Sequence, residues 1–146
     1  HHKSGFYLDN LDALKQTLLE LEALGQKTLL IGVSYALLDL AEFHQFDLNH
    51  TIIMETGGMK GRRKELIKAE LHAILKKGFG VDKIHSEYGM TELLSQAYSK
   101  GNGLFSTPPW MKVLIRDPED ALTVLPKGKS GGINIIDLAS LPWYEA

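Results

Sequence analysis

The sequence predicts an α/β fold in which parallel βαβ units carry helices packed on a sheet, followed by a C-terminal β-hairpin. Short apolar runs alternate with amphipathic runs over the first hundred residues. The apolar runs are continuous, which is typical of parallel strands covered by helices. After Lys100, glycine and proline breakers precede two further strand-like runs. We expect a single partial domain over 1–146, with an αβαβαβ part over 1–100 and a loop and hairpin part over 101–146.

The first predicted helix, "NLDALKQTLLELEALG", is amphipathic. Asn10 can cap its start and Gly25 occupies the position of a left-handed C-terminal cap. The apolar residues that recur at helical spacing are Leu11, Leu14, Leu18 and Leu21. "KTLLIG" then predicts a strand, Ser34 is expected to cap a second helix, "YALLDLAEFH", and "TIIME" predicts the next strand.

A third helix is predicted over "RRKELIKAELHAILKKG", ended by Gly78, with Ile67, Leu71, Ile74 and Leu75 on one face. "DKIHSEY" predicts a third strand. "SKGNGLFSTPPW" is typical of a loop because of its glycines and its proline pair. "MKVLIRD" and "GGINIIDL" predict two strands that can pair as a long hairpin.

Composition excludes several classes of protein. The 146 residues are 44% hydrophobic and 23% charged, as in an ordinary soluble domain. A net charge of -2 argues against a protein built chiefly to grip nucleic acid. No run of 18 apolar residues predicts a membrane span, and no secretory signal is evident, so a cytoplasmic location is expected. The absence of cysteine excludes disulfides and a cysteine nucleophile, and His1 and His2 are not read as a metal site.

Two loops are expected at the carboxyl edge of the predicted sheet, where open α/β folds bind ligands. The first, "ETGGMKG", follows "TIIME". Gly57 and Gly58 would let a flat ligand approach the main chain, although a strand-to-helix turn needing positive φ explains them equally simply. The pattern of a phosphate-binding P-loop is absent from this loop.

The second loop, "EYGMTE", follows "DKIHS". Tyr88 offers a ring for stacking and Gly89 a close backbone approach. Thr91 and Glu92 place a hydroxyl beside a carboxylate, a combination that suits a phosphate and its Mg²⁺. The alternative is that Thr91 caps a helix that begins at Glu92.

Other side chains have weaker functional cases. The basic run could contact phosphate or form a solvated helical turn. His72, within the third helix, is expected to be a surface or core residue, whereas His85, next to the second loop, could serve the site. The aspartate could be a ligand or a cap or turn residue, and the tryptophans are more typical of packing than of stacking on a ligand. These residues are Arg62, Arg63, Lys64, His72, His85, Asp137, Trp110 and Trp143. No serine–histidine–aspartate arrangement or metal-ligand cluster stands out.

"YGMTE", from Tyr88 to Glu92, resembles the YGxTE signature of the adenylate-forming enzymes, which include acyl-CoA synthetases and peptide-synthetase adenylation domains. The preceding strand, Gly-rich loop and helix are similar to the family's order, and "LPKGKSGGINIIDLAS" is similar to its GExGEI-type strand. "ETGGMKGRR" and "SEYGMTELLSQAYS" most resemble the bacterial acyl-protein synthetases, or long-chain-fatty-acid–luciferin-component ligases, with phenylacetate–CoA ligase-like proteins next. The resemblance covers nearly the whole chain and is strongest over 51–99.

The resemblance implies an ATP-dependent ligase that activates a carboxylic acid, with fatty acids as the favoured class. The acid would become an acyl-adenylate, and the acyl group would pass to a thiol of a protein or of CoA. The resemblance implies that Thr56, Gly57 and Gly58 line the adenine and acyl end. It also implies roles for a second set: stacking on adenine by Tyr88, backbone approach at Gly89, α-phosphate binding by Thr91 and Mg²⁺ binding by Glu92. Reductase and transferase partners are implied as well.

Several parts of the family pattern are missing from these residues. They are the upstream phosphate loop, the downstream ribose-binding aspartate, the C-terminal domain with its lysine, and a thiol. We therefore expect a fragment of the large N-terminal domain that is inactive alone. A non-catalytic nucleotide-binding module and a protein-interaction module with an exposed sheet edge remain alternatives.

Overall fold

The computed structural model describes residues 2–59 and 61–140. The chain forms two compact units, one of His1–Glu87 with Lys100–Gly103 and one of Tyr88–Ser99 with Leu104–Ala146. His1, Lys60 and Trp143 lie outside the described residues, so the interpretation of Trp143 as a packing residue stays a prediction.

The first unit is an alternating arrangement of helices and parallel strands. β1 (Thr28–Val33) pairs in parallel with β2 (Thr51–Thr56), and β2 pairs in parallel with β3 (Ile84–Tyr88). Val33 lies opposite Thr56, and Thr56 lies opposite Glu87. The α/β prediction is therefore confirmed. Its elements are α1 (Leu11–Ala23), β1 (Thr28–Val33), α2 (Ser34–Phe43), β2 (Thr51–Thr56), α3 (Lys68–Phe79) and β3 (Ile84–Tyr88).

Helix α1 forms as the sequence predicts. The side chain of Asn10 accepts a 2.9 Å hydrogen bond from the amide of Ala13, which satisfies a donor in the open first turn. Gly25 adopts φ 63° just beyond the helix, a conformation that glycine reaches without strain. The buried residues of the helix are Leu14, Leu18 and Leu21.

Helix α2 begins at Ser34, but the prediction that this serine caps it is wrong. Ser34 is the first helical residue, and neither it nor the preceding Val33 makes a side-chain capping bond. The Ser34 hydroxyl instead bonds to β2 and to the loop that follows it. A tertiary contact therefore determines the orientation of this side chain.

Helix α3 begins at Lys68, six residues later than predicted. Arg63 pairs with Asp39 and Glu42 of α2, which holds the preceding segment against another helix. Ile67, predicted on the apolar face, is 66% exposed. The start of the predicted helix was wrong because charged residues of good helix propensity were held by a tertiary ion pair.

The predicted end of α3 at Gly78 is also wrong. Gly78 lies inside the helix and is buried against Ala41 of α2, where an added Cβ would lie 2.5 Å from the Ala41 Cβ. The helix ends at Phe79 and is capped by Gly80, which has φ 66° and donates its amide to the Lys76 carbonyl. Close approach between helices explains the first glycine, and a left-handed cap explains the second.

The hydrophobic core of this unit lies on one face of the three strands. Ile53 and Ile84 point into it and are fully buried, together with leucines of all three helices. The other face exposes about half of the side chains of Leu29, Ile31 and Ile52. The strands β1 and β2 thus carry apolar side chains on both faces, as parallel strands usually do, and are packed on one.

The second unit consists of antiparallel pairs. β6 (Met111–Arg116) pairs with β7 (Gly132–Asp137), which confirms the predicted hairpin. β4 (Ala97–Ser99) pairs with β5 (Phe105–Ser106). The whole of β5 and the last residue of β4 lie inside the run 99–110 that was predicted as a loop, so that prediction was wrong at these positions. Runs of three and two residues are too short to show a periodicity.

None of the described helices has the length and hydropathy needed to cross a bilayer.

Candidate functional site

The loop after β2 follows Thr56, the last residue of that strand. The hydroxyl of Thr56 donates a 3.3 Å hydrogen bond to the carboxylate of Glu87 on the neighbouring strand. Gly57 is exposed with φ 95°, so the interpretation as a turn needing glycine holds there. Gly58 is exposed too, but a Cβ added to it meets nothing within 4 Å. Met59 is buried in the core and anchors the far side of the glycine pair.

The loop after β3 presents polar groups to solvent. Gly89, Thr91 and Glu92 are exposed, in a turn closed by a 3.1 Å hydrogen bond from the Leu93 amide to the Met90 carbonyl. A helix beginning at Glu92 is therefore wrong, because the chain turns and then continues into β4. The turn places a hydroxyl and a carboxylate next to each other without any role in capping a helix.

Tyr88, the last residue of β3, is neither fully buried nor exposed. Its ring meets that of Phe105 edge to face, with the centroids 6.3 Å apart and an angle of 73° between the planes. Aromatic pairs favour this geometry. The contact suits a ring that packs within the protein, and it is also compatible with stacking on a flat ligand.

The two loops start from paired strands. Thr56 and Glu87 are opposite each other in the parallel register, so the chain leaves β2 and β3 at adjacent strand ends. The expectation that both loops begin at the carboxyl edge of the parallel strands is therefore confirmed.

A buried polar cluster at the same edge was missed by the sequence reasoning. Its centre is Glu55 of β2, which is 1% exposed. One carboxylate oxygen accepts from Lys68 Nζ at 2.6 Å and lies 3.4 Å from His72 Nε2. The other accepts from Ser34 Oγ at 3.1 Å, and Ser86 Oγ lies 3.3 Å from His72 Nε2. We call these five residues the Glu55 cluster.

The environment of Glu55 favours its ionised form. Burial acts to raise the pKa of this carboxyl, but the hydrogen bonds from Lys68, Ser86 and His72 and the charge of Lys68 outweigh it and hold the pKa below its ordinary value. A signal for the cluster existed: Glu55 and Ser86 follow Ile53 and Ile84 at a spacing of two, which places them on the core face.

The weaker candidates are mostly engaged in packing. His72 is a buried histidine with polar partners in the Glu55 cluster. His85 is half-buried, and burial, then the charges of Lys83 and Lys100, lower its pKa. The three residues of the basic run have different environments. The guanidinium carbon of Arg62 lies 4.8 Å from the centroid of the Tyr35 ring. Arg63 pairs with acidic residues of α2, and Lys64 is exposed.

Asp137 organises the second unit. Its carboxylate accepts from the amide and hydroxyl of Ser95 at 2.9 and 2.8 Å, from the hydroxyl of Ser140 at 2.8 Å and from the amide of Ala139 at 3.1 Å. Burial acts to raise its pKa, but these hydrogen bonds lower it overall. Trp110 donates its indole N–H to Ser95 Oγ at 2.9 Å. Asp137 and Trp110 therefore have structural partners, which agrees with a turn role for the aspartate and a packing role for the tryptophan.

Within the described residues, no three histidine or acidic side chains converge. This part of the chain therefore has no site that would hold a metal ion by protein groups alone. Glu92 is an exposed single carboxylate. Such a group suits Mg²⁺ that takes its remaining ligands from phosphate oxygens and water, as Mg²⁺ commonly does in nucleotide sites. The residues present therefore fit a metal that arrives with a nucleotide.

The chain matches no protein-family model and no curated protein.

Proposed function

We propose that this chain is part of the large N-terminal domain of a cytoplasmic ligase that forms acyl-adenylates. Its substrates would be ATP and a carboxylic acid, with fatty acids as the class that the motifs favour. The acyl group would pass to a thiol of a protein or of CoA. The proposal rests on the resemblance carried by "ETGGMKG" and "YGMTE" and on one structural observation.

The structural observation is the position at which the two motif loops leave their strands. They leave paired parallel strands at the opposed residues Thr56 and Glu87, on the edge where α/β folds bind ligands. The turn after Gly89 leaves Thr91 and Glu92 exposed, so neither side chain must break a packed contact to reach a ligand. These features support the proposal over a purely structural role for the motifs.

The proposed reaction has two steps. A carboxylate oxygen attacks the α-phosphorus of ATP, and the bond to pyrophosphate breaks, giving an acyl-adenylate. A thiol sulfur then attacks the acyl carbon and AMP leaves, while the thiol proton passes to solvent. In the first step two anions must meet, so the site must neutralise phosphate charge and align the reactants.

The described residues would divide these tasks. Thr56, Gly57 and Gly58 would line the adenine and the acyl end, and the ring of Tyr88 would stack on the base. Thr91 would donate its hydroxyl to the α-phosphate. Glu92 would hold Mg²⁺, which supplies positive charge that draws electrons from the phosphoryl group.

The test is ATP–pyrophosphate exchange by the full-length protein with short, aromatic and long-chain carboxylic acids. Glu92→Gln keeps the size of the side chain and removes its charge, so we expect exchange to fall at least about a hundredfold, the effect typical of losing a group that stabilises the transition state. Glu119→Gln is the matched control, since it makes the same change at another exposed position of the second unit.

The outcomes separate the proposal from its alternatives. Carboxylate-dependent exchange that Glu92→Gln abolishes and Glu119→Gln retains would support adenylation and identify the acid. A folded protein that binds Mg²⁺·ATP but exchanges pyrophosphate with no acid would overturn it in favour of a non-catalytic nucleotide-binding module. A protein that binds no nucleotide would favour an interaction module.

A further inference from the structure

Ser34 joins the Glu55 cluster to the loop that follows β2. Its hydroxyl donates to the carbonyl oxygen of Gly57 at 2.5 Å, and it lies 3.1 Å from the Glu55 carboxylate. Ser34 is 1% exposed, whereas Gly57 is exposed. One hydrogen bond thus ties a solvent-facing glycine to a buried side chain.

The hydrogen count shows which contact dominates. A serine hydroxyl carries one hydrogen, and both the Gly57 carbonyl and the ionised Glu55 carboxylate can only accept. The shorter distance assigns the hydrogen chiefly to Gly57, and the carboxylate shares it weakly. Glu55 retains Lys68 as its close donor at 2.6 Å, so it does not depend on Ser34.

Gly57 needs such a restraint because of its backbone. At φ 95° it occupies a region that glycine enters and leaves freely, and the next residue, Gly58, adds a second flexible position. Without a fixed carbonyl, the pair would sample several conformations, and ligand binding would have to select one of them at a cost in affinity.

We infer that Ser34 is a positioning residue that holds the Gly57 carbonyl, and with it the loop after β2, in one conformation before ATP binds. This inference rests on the proposed function. Ser34 would touch neither ATP nor the acid. Its effect would appear in ATP affinity rather than in the chemical step, because a preorganised loop lowers the cost of binding.

Ser34→Ala tests this in the full-length protein, and Ser86→Ala is the matched control. Both serines are 1% exposed and both belong to the Glu55 cluster, but of the two only Ser34 bonds to Gly57. Each variant removes one buried hydroxyl from the same core, so a general loss of packing or polarity should affect both alike.

Three measurements are needed on each variant: the Kd for ATP by calorimetry, the KM for ATP and for the acid in pyrophosphate exchange, and the melting temperature. For Ser34→Ala we expect the ATP Kd and KM to rise about five- to tenfold, the loss of one net hydrogen bond, with the KM for the acid and kcat nearly unchanged. For Ser86→Ala we expect wild-type ATP affinity with a comparable change in melting temperature.

An unchanged ATP Kd in Ser34→Ala, from a wild type that exchanges pyrophosphate, would overturn the inference alone. Equal losses of ATP affinity in both variants would also overturn it, because the effect would then belong to the cluster as a whole. A wild type that neither binds ATP nor exchanges pyrophosphate would overturn the proposed function and this inference together.

Discussion

Replacing Lys68 by methionine removes the ammonium from Glu55 while keeping a side chain of similar length. Glu55 is 1% exposed and would keep only hydroxyl and imidazole partners. Breaking a buried ion pair by removing one partner costs about 3–5 kcal/mol. The Lys68 side chain is 46% exposed, so solvent screens the pair, and we expect a loss of about 1–3 kcal/mol at about pH 7.

The loss should depend on pH in a defined direction. The folded pKa of Glu55 lies below its ordinary value of 4.5, so its contribution is present above that value and is lost as pH falls through the folded pKa. In Lys68→Met the carboxyl lacks the ammonium, so its pKa rises and it takes up a proton sooner. The difference in unfolding free energy between wild type and variant should therefore be widest near about pH 7 and narrow towards about pH 4.

Thermal denaturation followed by circular dichroism would measure this. We expect the melting temperature of Lys68→Met to fall by about 3–10 °C at about pH 7. Lys77→Met is the control, because it makes the same change at an exposed position of the same helix and should cost under about 1 kcal/mol. Equal losses in both variants, or a loss in Lys68→Met that does not vary with pH, would refute the assignment of Glu55 as an ionised group held by Lys68.

Two further predictions concern stability. Asp137→Ala should lower the urea midpoint near neutral pH, because two amide and two hydroxyl donors lose their acceptor. The deficit should shrink as pH falls through the lowered pKa of Asp137, and a deficit independent of pH would contradict this explanation. Gly80→Ala should cost about 1–3 kcal/mol in urea denaturation, because the residue has positive φ and its Cβ would lie 2.6 Å from the Phe46 carbonyl oxygen. Gly58→Ala, where the added carbon meets nothing within 4 Å, should change stability little, and a loss equal to that of Gly80→Ala would disprove the steric explanation.

The parts of the fold that the sequence predicts are those with a strong local period. Leucines at helical spacing predict α1, and continuous apolar runs predict β1 and β2. The start of α3 could not be predicted in this way. Local propensity favours a helix from Arg62, whereas the ion pairs of Arg63 with Asp39 and Glu42, over twenty residues away, hold this segment against α2.

The same contrast between local sequence patterns and tertiary contacts applies to the candidate site. Both motif loops could be found because their residues are contiguous in the chain. The five residues of the Glu55 cluster come from four separate elements, α2, β2, α3 and β3, with Lys68 and His72 both on α3, so no contiguous motif identifies the cluster. Only the alternation of Ile53 with Glu55, and of Ile84 with Ser86, indicates polar groups that point inward.

The contact between Gly78 and Ala41 links the evolution of two helices. A methyl group at position 78 would lie 2.5 Å from the Ala41 Cβ but 3.2 Å from the nearest backbone atoms of that residue. An alanine at 78 therefore becomes tolerable once position 41 is glycine, with only a small backbone adjustment. Each position thus determines which substitutions the other accepts, and relatives of this chain that carry alanine at 78 should carry glycine at 41.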